Sequence, residues 1–154
     1  MSNSCATRFS LISIGAATLL AVGWNVAIAT AQAQVYKPIP LQVGNPIQDA
    51  ISAQDIPTGQ GGFARDYIVS LSAGDQVTIM LSSNSFDTFI ALLAADGSPM
   101  GENDDEPDGS TNSRLVTRIT TSGNYIIRVR ASGGTKANGS FTLKVTRQPP
   151  QSQK

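Results

Sequence analysis

The chain contains no histidine, and its one cysteine, Cys5, and one tryptophan, Trp24, both lie near the N-terminus. Without histidine, Ser-His-Asp and Cys-His nucleophile arrangements cannot form. The usual zinc sites fall away for the same reason. What is left for catalysis is carboxylate or Ser-Lys chemistry. Charge is also sparse and balanced, with 11 basic and 11 acidic residues in 154. No basic excess exists to draw in nucleic acid or anionic lipid, so neither is expected as a partner. Beyond the N-terminal region no apolar stripe recurs at the helical spacing of 3.6 residues, which argues against an α-helical core.

What is present begins with an export signal. Arg8 is the only charge in the first 36 residues, and the apolar run Phe9 to Ala29 follows it. Ala31-Gln32-Ala33 then supplies small residues in the A-x-A pattern, so residues 1–33 read as a signal peptide cleaved before Gln34. The run is about long enough to span a bilayer, but Gly15, Gly23, Trp24 and Asn25 interrupt it. Cleavage predicts a secreted, periplasmic or cell-surface protein with no membrane contact. The mature chain then has no cysteine and no disulfide, although exported domains of this size often depend on them. Loss of Arg8 leaves ten basic side chains against 11 acidic ones. About 120 residues are enough for one domain with a real core, expected as a monomer.

Residues 34–40 read as an extended lead, because Pro38 and Pro40 block helix. Residues 148–154 read as a polar, proline-containing tail. Between them, over 41–147, apolar residues alternate at period 2. Tyr67, Val69 and Leu71 share one face, as do Val77, Ile79 and Leu81, and Tyr125, Ile127 and Val129. Leu41 to Val43 and Ile47 to Ile51 suggest a first pair around Gly44-Asn45-Pro46. Asp87 to Leu93 is apolar on both faces, as a central strand would be. Gly/Asn/Asp turns punctuate the strands. The pattern predicts an all-β, antiparallel, jelly-roll-like β-sandwich of about 7–9 strands.

The densest feature is acidic. Five carboxylates fall between Glu102 and Asp108. Charges this close repel unless neutralised. Ca²⁺ suits such a cluster, since it takes 6–8 oxygen ligands. An EF-hand loop is excluded: counted from Asp104, the position that needs a bidentate Glu is Leu115. An oxygen cage of another kind is expected to use Asp104 and Asp105, helped by Asn103 or Asp87. The plain alternatives are a solvated loop and, for Asp87, a turn cap. Arg118, Arg128 and Arg130 form an outward basic stripe if their strands are neighbours, serving either solubility or a polyanion. Arg128, outward by alternation, is expected to matter little to stability. Phe86, Phe89 and Tyr125 offer either a sugar-stacking strip or core packing. Asn138-Gly139-Ser140 reads as a turn into the last strand.

Several short motifs also occur in a fixed order: Ala73-Gly74-Asp75-Gln76-Val77, Ser85-Phe86-Asp87-Thr88-Phe89, Asp96-Gly97, Asn103-Asp104-Asp105, Asn112-Ser113-Arg114-Leu115, Ser122-Gly123-Asn124-Tyr125 and Asn138-Gly139-Ser140-Phe141-Thr142-Leu143. Together they resemble the bacterial pre-peptidase C-terminal (PPC) domain family, over roughly Leu41 to Arg147. That resemblance implies a secreted β-sandwich without catalytic activity, of the kind appended to extracellular hydrolases for secretion, targeting or attachment. Related collagen-binding domains of collagenases bind calcium and collagen, which strengthens the expectation of Ca²⁺ as cofactor. No peptidase domain accompanies the motifs in this sequence, a departure from the family's usual setting on which a role defined by a catalytic neighbour depends. The expected partner is an extracellular protein, matrix or polysaccharide. A carbohydrate-binding module is the alternative, and a small carboxylate-dependent hydrolase a third reading.

Overall fold

A computed structural model describes residues 36–59, 61–134 and 138–148, all within one unit, Val35–Lys154. The signal peptide expected over 1–33 lies outside the described residues. The chain forms ten strands: β1 (Ile39–Pro40), β2 (Ile47–Ile51), β3 (Ile56–Pro57), β4 (Phe63–Leu71), β5 (Gln76–Ser82), β6 (Thr88–Ala94), β7 (Pro99–Asn103), β8 (Ser113–Arg118), β9 (Gly123–Ala131) and β10 (Gly139–Gln148). They make two sheets. The first runs β1-β4-β9-β6-β7, with β3 also pairing β4, and the second runs β2-β10-β5-β8. The all-β sandwich expected from the alternation is the fold.

The alternation works because a strand sends successive side chains to opposite faces. Tyr67, Val69 and Leu71 of β4 and Ile127 and Val129 of β9 turn inward from the first sheet. They meet Val77, Ile79 and Leu81 of β5 and Leu143 and Val145 of β10 from the second. Each fully buried aliphatic side chain contributes about 1.5–3 kcal/mol, so this apolar layer is the main source of stability. Phe141 adds edge-to-face contacts with Tyr67 and Phe86, at centroid distances of 6.3 and 6.4 Å. Strand β6 lies between β9 and β7, as its two apolar faces required.

Four details depart from the sequence expectation. Leu41 to Val43 does not pair with β2. Strand β2 pairs antiparallel with β10, and the amide of Leu41 instead donates to the Ile68 carbonyl at 2.9 Å. A local hairpin gave way to a long-range pairing that buries Ile51 completely. Strand β1 pairs with β4 in parallel, so the sandwich is not wholly antiparallel. The count exceeds 7–9 because β1 and β3 are two-residue pieces and because β7 precedes the acidic loop. Residue 148, expected in the tail, closes β10 opposite Gln76.

Tight turns set the registers. Between β6 and β7, Gly97 adopts φ 86° and its amide donates to the Ala94 carbonyl at 2.9 Å. The Asp96 carboxylate accepts from the Ser98 amide at 2.9 Å, which holds its pKa below the ordinary carboxylate range. A side chain other than glycine would be strained at that φ.

Candidate functional site

Two ionic networks close the ends and outer surface of the first sheet. Arg65 sits on the inward row of β4 near the sandwich mouth, where it reaches two carboxylates. Its Nε donates to Asp55 at 2.8 Å, and one terminal nitrogen donates to Asp49 of β2. Burial opposes the charge on Arg65, but the two carboxylates outweigh it and hold its pKa above the ordinary value. Tyr67 donates its hydroxyl to Asp49 at 2.7 Å, and burial first, then that carboxylate, push its phenol well up. This network joins the two sheets.

The second network lies on the outer face. Asp66 is only 4% exposed, and Arg128 grips it with a two-pronged contact, Nε at 2.8 Å and a terminal nitrogen at 2.7 Å. The register brings them together, since Asp66 pairs with Arg128 directly across β4 and β9. The hydroxyl of Tyr36 donates to the same carboxylate at 2.6 Å; burial and Asp66 push that phenol up to about 12. Arg128 is therefore a structural ion-pair partner, not a free surface charge. Arg118 lies in the other sheet, on β8, so the basic stripe expected from Arg118, Arg128 and Arg130 does not form. Arg130 lies 3.5 Å from the centroid of the Phe89 ring. Burial lowers its pKa, against the nearby carboxylates of Glu102 and Asp104.

The acidic residues form a hydrogen-bonded corner beyond β7. The Asn103 amide nitrogen donates to the carbonyls of Asp105 and Arg114, at 3.0 and 2.8 Å, and its oxygen accepts from the Asp105 amide. Asn103 thereby ties β7 to β8. Asp104 accepts from the Ser132 hydroxyl at 3.0 Å, while the Ser132 amide donates to the Asp87 carbonyl at 2.8 Å. Ser132 thus brings Asp104 and Asp87 to one corner. Asp105 and Asp87 are exposed. Asp108 accepts from the Ser110 amide, which lowers its pKa. The oxygen chemistry suits a hard cation. Among the described residues, however, no three acidic side chains converge, and both ends of the Asn103 amide are engaged.

The three aromatic candidates do not form a strip. Tyr125 is 4% exposed and donates to the Thr121 carbonyl at 2.6 Å. Phe86 packs against the core, and Phe89 lies under Arg130.

The outer face of the second sheet is different. Its four strands carry one acidic residue, Asp49, and that side chain turns inward to Arg65. Apart from Ala50, Met80 and Val116, outward positions are occupied by hydroxyls, amides and cations. Thr142 pairs with Gln48 on one side and Ser82 on the other, and Lys144, Met80 and Arg114 form the next row. Arg118 stands two rows further along β8. Among the described residues Arg114, Arg118 and Lys144 make no ion pair.

At one end this face opens into a cleft of about 290 Å³. Gln48, Ser82, Asn112 and Thr142 line it, with Ser83, Asn84 and Ser140 on the rim and Phe141 beneath. The Ser83 hydroxyl donates to the Ser140 carbonyl at 2.8 Å, which fixes the rim. Gly139 is obligatory there: its φ is 142°, and a Cβ would meet that of Ser85 at 2.4 Å. Among the described residues the side chains of Gln48, Ser82, Asn84 and Thr142 make no hydrogen bond to the protein. Sequence reasoning named Asn112, Arg114, Ser140, Phe141 and Thr142 only as motif residues, and put forward none of the cleft side chains, nor Arg114 and Lys144, as a site. The alternation of Thr142, Lys144 and Thr146 with Phe141, Leu143 and Val145 placed them outward, but only the pairing of β10 with β2 and β5 assembles a face.

The fold and these surfaces define a β-sandwich whose first sheet ties Arg65 and Arg128 to carboxylates and whose second sheet presents an open polar face. Residues 64–131, from β4 through β9, match the family model of the bacterial pre-peptidase C-terminal domain. The resemblance read from the ordered motifs therefore holds. No curated protein matches the sequence. Among solved structures, the pre-peptidase C-terminal domain of collagenase from Bacillus anthracis aligns with TM-score 0.57 at 9% identity, covering 75% of this chain and 100% of that one. The periplasmic inhibitor of g-type lysozyme PliG from Aeromonas hydrophila aligns with TM-score 0.54 at 17% identity, covering 72% and 96%. PliG from Salmonella Typhimurium gives 0.50 at 11%, covering 73% and 100%. At these identities the likeness is one of fold.

Proposed function

We propose that this chain is an exported binding module without catalytic activity, acting on an extracellular or periplasmic macromolecule. One observation carries this reading. The open cleft of the second sheet is lined by hydroxyl and amide groups with no titratable side chain, whereas Asp49, Asp55 and Asp66 are tied to arginines. Glycoside hydrolysis needs two carboxyl groups facing each other across a substrate, roughly 5–9.5 Å apart, and the cleft offers none. The match to the pre-peptidase C-terminal family supports the accessory role. The fold shared with two periplasmic lysozyme inhibitors and a collagenase domain supports a binding role. The export signal expected over 1–33 supports the compartment.

Ca²⁺ belongs to this reading as a stabiliser, with Asp104 and Asp105 as first ligands and Asn103 or Asp87 as helpers. Its support is the all-oxygen donor set and the repulsion that a cation would relieve.

The test is capture from the exported fraction by the mature chain, beginning at Gln34, immobilised with and without Ca²⁺. A saturable partner retained at physiological salt is the expected result. Turnover of a glycan or peptide substrate by the purified chain, lost on Asp104→Asn with Asp105→Asn, would overturn the non-catalytic reading.

A further inference from the structure

The outer face of the second sheet combines two features that no fold requirement explains. Among the described residues its cations make no ion pair, although the mature chain as a whole carries a slight acidic excess. Elsewhere this protein pairs its arginines: Arg65 with Asp49 and Asp55, Arg128 with Asp66, Arg147 with Asp75. Arg114, Arg118 and Lys144 are the exceptions among the described strands of the two sheets, apart from Arg130 on its ring. Next to them, one row away, lies a cleft whose free donors and acceptors are neutral.

We infer that this face binds a carboxylated polysaccharide, with the cleft taking ring hydroxyls and the cations taking uronate groups. The inference rests on the binding-module reading and names the partner class for it. Adjacent strands lie about 4.8 Å apart, so Lys144 and Arg114, two strands apart in one row, stand roughly 10 Å apart at the backbone. Arg114 and Arg118, four residues apart on β8, stand roughly 13 Å apart. Cations at such intervals suit an extended chain that carries carboxylates repeatedly along its length, each cation meeting one several units from the next. Arginine presents a planar fork that matches a carboxylate with two parallel hydrogen bonds. Gln48, Ser82 and Thr142 then satisfy sugar hydroxyls, which offer both donors and acceptors.

A folded protein partner fits the face less well. Protein interfaces concentrate their energy in buried aromatic and large apolar anchors. The outward rows here hold only Met80 and Val116 as large apolar residues, and no aromatic side chain points out of them. The cleft's Phe141 is 3% exposed and belongs to the core.

The experiment is affinity electrophoresis and calorimetric titration of the mature chain with polygalacturonate. A neutral glucan and polyglutamate serve as the comparison polymers. Polygalacturonate should bind, weaken with rising salt, and bind more tightly than either comparison polymer. Arg114→Ala with Lys144→Ala should reduce affinity at least tenfold. Gln48→Ala with Thr142→Ala should reduce it severalfold without changing the salt dependence. Lys37→Ala, which removes a cation from the lead segment, should leave binding intact. All of these residues are exposed or half-buried, and thermal melts verify folding of each variant. Absence of polygalacturonate binding would overturn the inference, as would equal binding of polyglutamate, which reports charge alone and an acidic protein partner. Binding undiminished by Arg114→Ala with Lys144→Ala would do the same. Failure here is distinct from failure of the binding-module reading: a partner captured by the wild type and retained by the double variant binds elsewhere, and the module reading survives.

Discussion

Replacing Arg128 by alanine is the sharpest test of how this sandwich handles charge. The side chain of Asp66 is 1% exposed and that of Arg128 is 35% exposed. The contact consists of two charged hydrogen bonds, at 2.8 and 2.7 Å. Removing one partner of a fully buried pair costs about 3–5 kcal/mol, because the other charge is left desolvated and unpaired. Water reaches Arg128, and Tyr36 still donates to Asp66, so the expected loss is smaller, about 2–3 kcal/mol. In a domain of about 100 residues that lowers Tm by on the order of 10 °C. Arg118→Ala, exposed and without an ion pair, should stay within about 0.5 kcal/mol. Arg128→Lys keeps the charge but loses the two-pronged geometry, and should fall between them. The double change of Asp66→Ala with Arg128→Ala should recover part of the loss, since the orphaned carboxylate disappears with its partner. Urea melts of the wild type, Asp66→Ala, Arg128→Ala and the double variant form the cycle. If Arg128→Ala and Arg118→Ala cost the same, the pair contributes nothing and the argument from burial is refuted.

Three further outcomes are expected. Val129, fully buried on the inward row of β9, should cost about 1–3 kcal/mol as Val129→Ala in denaturant melts, through lost burial and a cavity. Stability should fall as pH rises from 10.0, the ordinary tyrosine value, towards about 12, because unfolded chains release phenol protons there while the native state retains those of Tyr36 and Tyr67; full stability holds below that window, and Tyr36→Phe should lessen the slope of the denaturant midpoint. Ca²⁺ at 100 times its Kd should stabilise the chain by about 2.7 kcal/mol, reversed by EDTA and abolished by Asp104→Asn with Asp105→Asn, and a flat calorimetric titration at millimolar Ca²⁺ would leave the cluster an ordinary acidic loop.

The facing of the strands was legible because period 2 is a local property. Tyr67, Val69, Leu71, Val77, Ile79, Leu81 and Val129 all point where alternation puts them. Pairing was not legible, because it depends on contacts far apart in the chain. Ile47 to Ile51 looked like half of a local hairpin, yet Ile51 gains its burial beside Gly139, 88 positions away. The same limit hid both charge arrangements. Asp66 and Arg128 lie 62 positions apart, and only the antiparallel register of β4 with β9 makes them a pair. The acidic loop was conspicuous as composition, while the cleft was not. Its serines, asparagines, threonine and glutamine are spread over β2, β5, β10 and the loops beside them, and each alone resembles ordinary solvated surface.

The two outer faces also divide the work of charge. On the first sheet, the open mouth beside β2 and the outer face of β4 and β9 each hold an arginine between carboxylates or beside one, so those cations are unavailable to a ligand without breaking the fold. A chain that needed only solubility would distribute its remaining cations among its remaining acids, since interspersed signs avoid a one-sided field. Instead the acids collect between Glu102 and Asp108, past the end of β7, while Arg114, Arg118 and Lys144 remain on strands that carry no outward acid. The hydrogen bond from Asn103 to Arg114 even places the start of the basic strand beside the acidic loop, with the backbone and not the side chain making the contact. Separation maintained at so short a distance favours a binding face over incidental surface charge. It also predicts that Arg118→Glu would leave the melt unchanged while weakening binding of the anionic partner.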